Sequence, residues 1–214
     1  MTAVVLVLPK PRAAPAEDDS YRRRLGEPAW SRLPVAIRRR FSRHLAPDQQ
    51  IVYRGEVVCM ELSRWGWWLA QAARLVGAPL PYTRNALGPC VVAVTESAAF
   101  GGQIWSRIYP RNGKCSQVIQ SVKRFSGPTG IEEYLGLGLV MRLTLHEEAG
   151  RLVFRSAGYA IELPGRTFAL PAWLSPGHCT VIHRSETDER FSFTLTLDHP
   201  RLGRLVHQVA FFEE

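Results

Sequence analysis

Lysine is nearly missing from this 214-residue chain: only Lys10, Lys114 and Lys123 stand against 24 arginines, a bias that a GC-rich bacterial genome produces without any functional cause. Cysteine is scarce as well. Cys59, Cys90, Cys115 and Cys179 are far apart and form no CxxC pair, which argues against a disulfide framework and for reduced, buried thiols. No apolar run reaches the ~20 residues that a membrane-spanning helix needs. The apolar start Val4–Leu8 has no basic residue ahead of it and meets Pro9. Ala14-Pro15-Ala16 carries the small residues of a leader cleavage site, but the expectation is a cytoplasmic protein. Catalytic signatures are missing too: there is no HExxH, no GxGxxG or Walker spacing, and no GxSxG elbow.

What is present is a core-forming composition, 46% hydrophobic, in a length that suits one domain. The net charge of +8 is unevenly spread. Residues 1–45 hold ten of the 27 basic residues and four of the 19 acids, so the rest of the chain is close to neutral. Residues 1–30, rich in Pro, Ala and charge, read as a flexible basic arm ahead of a single α+β domain over 31–214.

Two helices are predicted, over 34–45 and 57–76. Leu33, Ile37, Phe41 and Leu45 make one apolar seam, with Arg38, Arg39, Arg40 and Arg43 on the remaining surface. That face is a solvated side of a docked helix, or a contact for an anionic membrane or nucleic acid. In the second helix Leu62, Trp65, Leu69, Ala72 and Val76 recur with the helical period, and Gly77 is placed to cap it. From residue 90 to 212 the period switches to two. Val91–Thr95, Gln103–Tyr109, Cys115–Val122, a Leu139–Tyr159 hairpin, Cys179–His183, Phe191–Leu197 and Leu205–Phe212 read as strands, with Asn112-Gly113 a hairpin turn. About eight strands joined by short turns predict an antiparallel β-meander, curled or closed into a barrel because open edges are a liability.

Few residues carry candidate chemistry. His178, Cys179 and His183 suggest zinc, but on a strand positions 178 and 183 point to opposite faces. Glu132 and Glu133 are adjacent and so form no acid–base pair as they stand. Gln103, Trp105, Arg107 and Tyr109 share one strand face. Either this is a polar face with Arg107 in a structural ion pair, or it lines a barrel in which Arg107 anchors the carboxylate or phosphate of an apolar ligand.

The order of these features resembles the domain-of-unknown-function family numbered 4166. The resemblance rests on Leu33-Pro34 with its Arg-rich helix, Tyr53-Arg54-Gly55, Gly77-Ala78-Pro79 and the Trp105-x-Arg107 strand. An acidic residue at Glu132 or Glu133, Leu170-Pro171-x-x-Leu174-x-Pro176 and His199-Pro200-x-x-Gly203-x-Leu205 continue it over about residues 30–212. The family has no assigned activity. It is similar to a segment behind saccharopine-dehydrogenase-like NAD(P)-binding domains, which implies an oxidoreductase partner; no cofactor is expected on this chain itself. The expected function is a non-catalytic module binding a hydrophobic, acidic ligand through Trp105, Arg107, Tyr109 and Gln103. The alternatives are an accessory domain for an NAD(P)-dependent oxidoreductase and an enzyme acting on a lipid-like substrate.

Overall fold

The computed structural model describes residues 19–46, 49–77, 80–83, 86–97, 99–111 and 114–214. Eleven strands run through them: β1 (Gln50–Leu62), β2 (Gly88–Ser97), β3 (Gly102–Arg111), β4 (Lys114–Arg124), β5 (Glu132–Gly136), β6 (Leu139–Glu148), β7 (Arg151–Leu163), β8 (Arg166–Ala169), β9 (His178–Ser185), β10 (Arg190–His199) and β11 (Gly203–Glu213). Neighbours pair antiparallel in the order β6-β5-β4-β3-β2-β1-β11-β10-β9-β7-β8, and a β6–β7 pairing closes the ring. The result is a ten-stranded barrel with β8 appended to the outer part of β7. Closure gives every strand of the ring a neighbour on each side, though β4 meets β5 only over Val122–Arg124, and this is the physical reason so long a meander does not stay open.

Each of the eight strands expected from the alternating pattern is a strand, in every case longer than expected, and β1, β5 and β8 are additional. The helix expected over 57–76 is corrected in its first part, because residues 57–62 are the end of β1. The register of β1 against β11 shifts between Val57 and Cys59. That bulge puts both Val57 and Met60 in the core and so erases the two-residue period that would have marked a strand.

The helices are few and short: α1 (Ser20–Leu25), α2 (Glu27–Trp30), α3 (Val35–Phe41) and α4 (Arg64–Ala73), the last extended by a 3-10 turn over Arg74–Val76. The helix expected over 34–45 is therefore shorter at its C-terminal side. In α4, Ser63 caps the N-terminus by accepting from Gly66 N–H at 3.0 Å, and Gly77 ends the 3-10 turn in the left-handed conformation, φ +108°. A β-barrel with helical plugs thus describes the molecule better than an even α+β mixture.

The arm expected over 1–30 is corrected for its second half. Tyr21 and Trp30, on α1 and α2, are buried. Tyr21 stacks edge-on against Phe41 and Phe125, at ring-centre distances of 5.0 and 4.8 Å. Residues 1–18, and the Asn112-Gly113 turn, lie outside the described residues. Together α1, α2 and α3 close one end of the barrel, while α4 lies across the other, where Ser63 N–H donates to the Leu205 carbonyl at 3.0 Å.

Candidate functional site

Inside the barrel lies a cavity of about 640 Å³. Its walls are almost wholly apolar: Val92, Ile119, Met141, Phe154, Leu195 and Ala210 come from strands around the ring, Phe41 from α3 at the floor, and Leu69 and Ala72 from α4 at the mouth. The volume falls in the range of small-molecule sites. Period two explains most of the lining: on β10, Phe193, Leu195 and Leu197 all reach the cavity, and on β2 Cys90 and Val92 do so, with Val91 between them also at the wall.

Three of the four residues singled out on β3 line this space, namely Trp105, Arg107 and Tyr109. The fourth, Gln103, shares their face but lies beneath the cavity, where its side-chain oxygen accepts from the Tyr21 hydroxyl at 3.4 Å. Tyr109 accepts from the Gln208 amide at 3.4 Å, and burial raises its phenol pKa. Trp105 is buried, and its indole N–H has no hydrogen-bond partner among the described residues.

Arg107 is not alone. Its guanidinium donates to the Ser121 hydroxyl at 3.1 Å and sits 3.5 Å from Glu133 Oε1. Glu133 Oε2 is 3.2 Å from the Lys123 ammonium, and Ser121 donates to Glu133 Oε1. Lys123 and Glu133 are both buried, and the ammonium stands 4.8 Å over the Trp105 ring. Burial pushes the Lys123 pKa down, opposed by Glu133. Burial alone would raise Glu133, but Lys123, Arg107 and the Ser121 hydroxyl outweigh it and hold the carboxyl at about 2. The cluster therefore holds one carboxylate between two cations, in surroundings where an uncompensated charge is expensive.

The other candidates go elsewhere. Glu132 points into a separate cluster, 2.6 Å from Arg124 Nε and accepting from Ser126 at 2.7 Å. Cys179 and His183 are buried while His178 is exposed, so the two histidines do part to opposite faces. Burial lifts the Cys179 thiol to about 12. Burial and the neighbouring Arg40 push His183 well below its ordinary range, and its Nε2 lies 3.0 Å from the Arg40 guanidinium. Arg39 and Arg40 on α3 and Arg43 just after it all reach the Glu214 carboxylate, but only Arg40 is buried, Arg39 staying exposed. Arg40 is buried, 3.9 Å over the Phe191 ring. Sequence reasoning missed Lys123, Ser121 and the inward role of Glu133. The available signal was that Ser121 and Lys123 fall on one strand face, opposite Trp105 and Gln103 in register.

The mouth is built from α4, the segment 170–176 and the β10–β11 turn, with Leu80 and Pro81 strapped across. That strap is fixed by Gln117 donating to the Leu80 carbonyl at 3.2 Å and by Arg111 donating to the Tyr82 hydroxyl at 3.1 Å. Fold and site together define a closed antiparallel β-barrel around an apolar cavity, with buried Lys123 and Glu133 and part-buried Arg107 clustered on its wall. The chain belongs to the family described as Domain of unknown function (DUF4166), whose model matches residues 33–212. No curated protein and no solved structure matches the chain.

Proposed function

We propose that the protein is a non-catalytic binding module for an amphipathic organic anion, with the apolar body in the barrel cavity and the acidic head beside Arg107 and Lys123. One observation carries this reading: two cations, buried Lys123 and part-buried Arg107, share a single carboxylate at the wall of a mostly apolar cavity, so the cluster retains one positive charge. A carboxylate or phosphate head supplies the missing charge, and bidentate hydrogen bonding to a guanidinium favours either. The Trp105 indole N–H, without a partner among the described residues, supports a ligand that carries acceptors.

The test compares ligands of one shape and different charge. Calorimetric titration of delipidated protein is expected to show binding of oleate and weaker or no binding of oleyl alcohol. Arg107→Leu is expected to weaken oleate by roughly tenfold or more, the worth of a charge-assisted hydrogen bond. Equal affinity for acid and alcohol, or an unchanged Arg107→Leu variant, overturns the proposal.

A second reading, an enzyme acting on a lipid-like substrate, is favoured by the Lys123 amine, whose hold on its proton burial weakens. Its test is incubation with a long-chain aldehyde and borohydride. A Lys123 adduct in the mass spectrum supports amine chemistry; an unmodified Lys123 removes it.

A further inference from the structure

Large apolar side chains ring the mouth of the cavity and face solvent. Trp65 and Trp68 on α4 are 58% and 63% exposed, and Trp173, on the 3-10 turn Ala172–Leu174, is 78% exposed. Leu75, Leu174 and Leu202 are exposed beside them. Four of these six (Trp65, Trp68, Leu174 and Leu202) also line the cavity, so the patch is the rim of the cavity itself.

The three rim segments are locked together. Gly66 lies so close to the β10–β11 turn that a Cβ there would fall 2.0 Å from the Leu205 carbonyl oxygen. Gly177 meets the end of β10 just before that turn, with a Cβ position 2.5 Å from the Asp198 carbonyl oxygen. The apolar residues therefore sit on one fixed platform. A monomer in water gains nothing by holding tryptophans outward in such a group, and a patch of this kind marks a contact.

Charge indicates what the contact is with. Arg64, Arg74 and Arg201 are exposed on the same segments, as is Arg204, which pairs with Asp198 at 3.4 Å. Against these four stand Asp198, at the end of β10, and Glu61, at the end of β1 ahead of α4. Tryptophan side chains seat at the boundary of a bilayer, and arginines around them are drawn to anionic headgroups by about 1 kcal/mol each.

We infer that the mouth of the barrel docks on an anionic membrane surface, with Trp65, Trp68 and Trp173 entering the headgroup region and the cavity opening onto the lipid. The contact stands independently of the ligand reading; only its purpose, transfer of an amphipathic anion between bilayer and barrel, rests on it.

The test is sedimentation of the full chain with vesicles of phosphatidylcholine, with and without phosphatidylglycerol. Binding is expected only to the anionic vesicles, weakened by salt. Trp173→Ala with Leu75→Ala, both exposed and outside the cavity lining, is expected to reduce it roughly tenfold, and Arg64→Glu with Arg74→Glu to do the same. Unchanged far-UV spectra show that the variants fold. Absence of sedimentation with either vesicle overturns the inference, as does binding that both apolar substitutions leave intact. Self-association that the same substitutions abolish, without vesicle binding, reassigns the rim to a contact between copies. Arg107→Leu is expected to keep vesicle binding while losing oleate, so failure of either proposal is read separately.

Discussion

Lys123 and Glu133 are register partners across the β4–β5 ladder, and their side chains meet inside the barrel at 3.2 Å. A cross-strand pair on an inward face is ordinarily apolar. Here it is an ion pair, and Arg107 approaches the same carboxylate from β3.

Removing the carboxylate strands both cations. Glu133→Gln is expected to lower stability by about 3–5 kcal/mol, the usual cost of breaking a buried pair. Adding Lys123→Met is expected to recover most of that loss, because an apolar side chain of similar length needs no counter-charge. Urea unfolding of wild type and the three variants closes the cycle. A double variant no more stable than Glu133→Gln shows that the two charges are not coupled.

Acid should expose the same carboxylate. The Glu133 pKa is depressed in the fold to about 2 from an ordinary 4.5, so its contribution is complete above about pH 4.5 and is lost as pH falls toward 2. Melting temperatures of wild type are expected to drop through that window. In Glu133→Gln this component of the slope is absent. Parallel profiles for the two proteins contradict the assignment.

Gly66 offers a test in which the sign decides. In a free helix interior Gly→Ala stabilises by about 1 kcal/mol. At this position the new Cβ would meet the Leu205 backbone oxygen at 2.0 Å, so Gly66→Ala is expected to destabilise by roughly 1–3 kcal/mol instead. A raised melting temperature would show that α4 does not sit tightly on the β10–β11 turn.

Three of the four thiols should separate by environment. Cys115 is exposed, whereas burial pushes Cys90 and Cys179 up to about 12. Iodoacetamide near pH 8, followed by peptide mass spectrometry, is expected to modify Cys115 early and to leave Cys90 and Cys179 unmodified until the protein unfolds. Rapid labelling of Cys179 in the native protein would mean that the cavity wall opens readily.

By itself the sequence determined the antiparallel meander. Alternation along 139–159 and 191–197 is a local property that each strand carries alone, and short turns leave little choice of neighbour. It also determined the β3 stripe, since Trp105, Arg107 and Tyr109 share a face in any strand. The bulge at Val57–Cys59 hid β1, because a register shift is defined only against the partner strand β11. The burial of Tyr21 hid the docking of α1, because composition reads the surrounding charges and not the aromatic pocket made by Phe41 and Phe125. Only the tertiary structure decided what faces Arg107. Glu133 lies 26 residues away, and a charged residue in a strand reads as exposed until its counter-charges are known. Closure of the ring, which brings β6 against β7 and encloses about 640 Å³, likewise depends on summed strand tilt and register, to which no single segment holds the key.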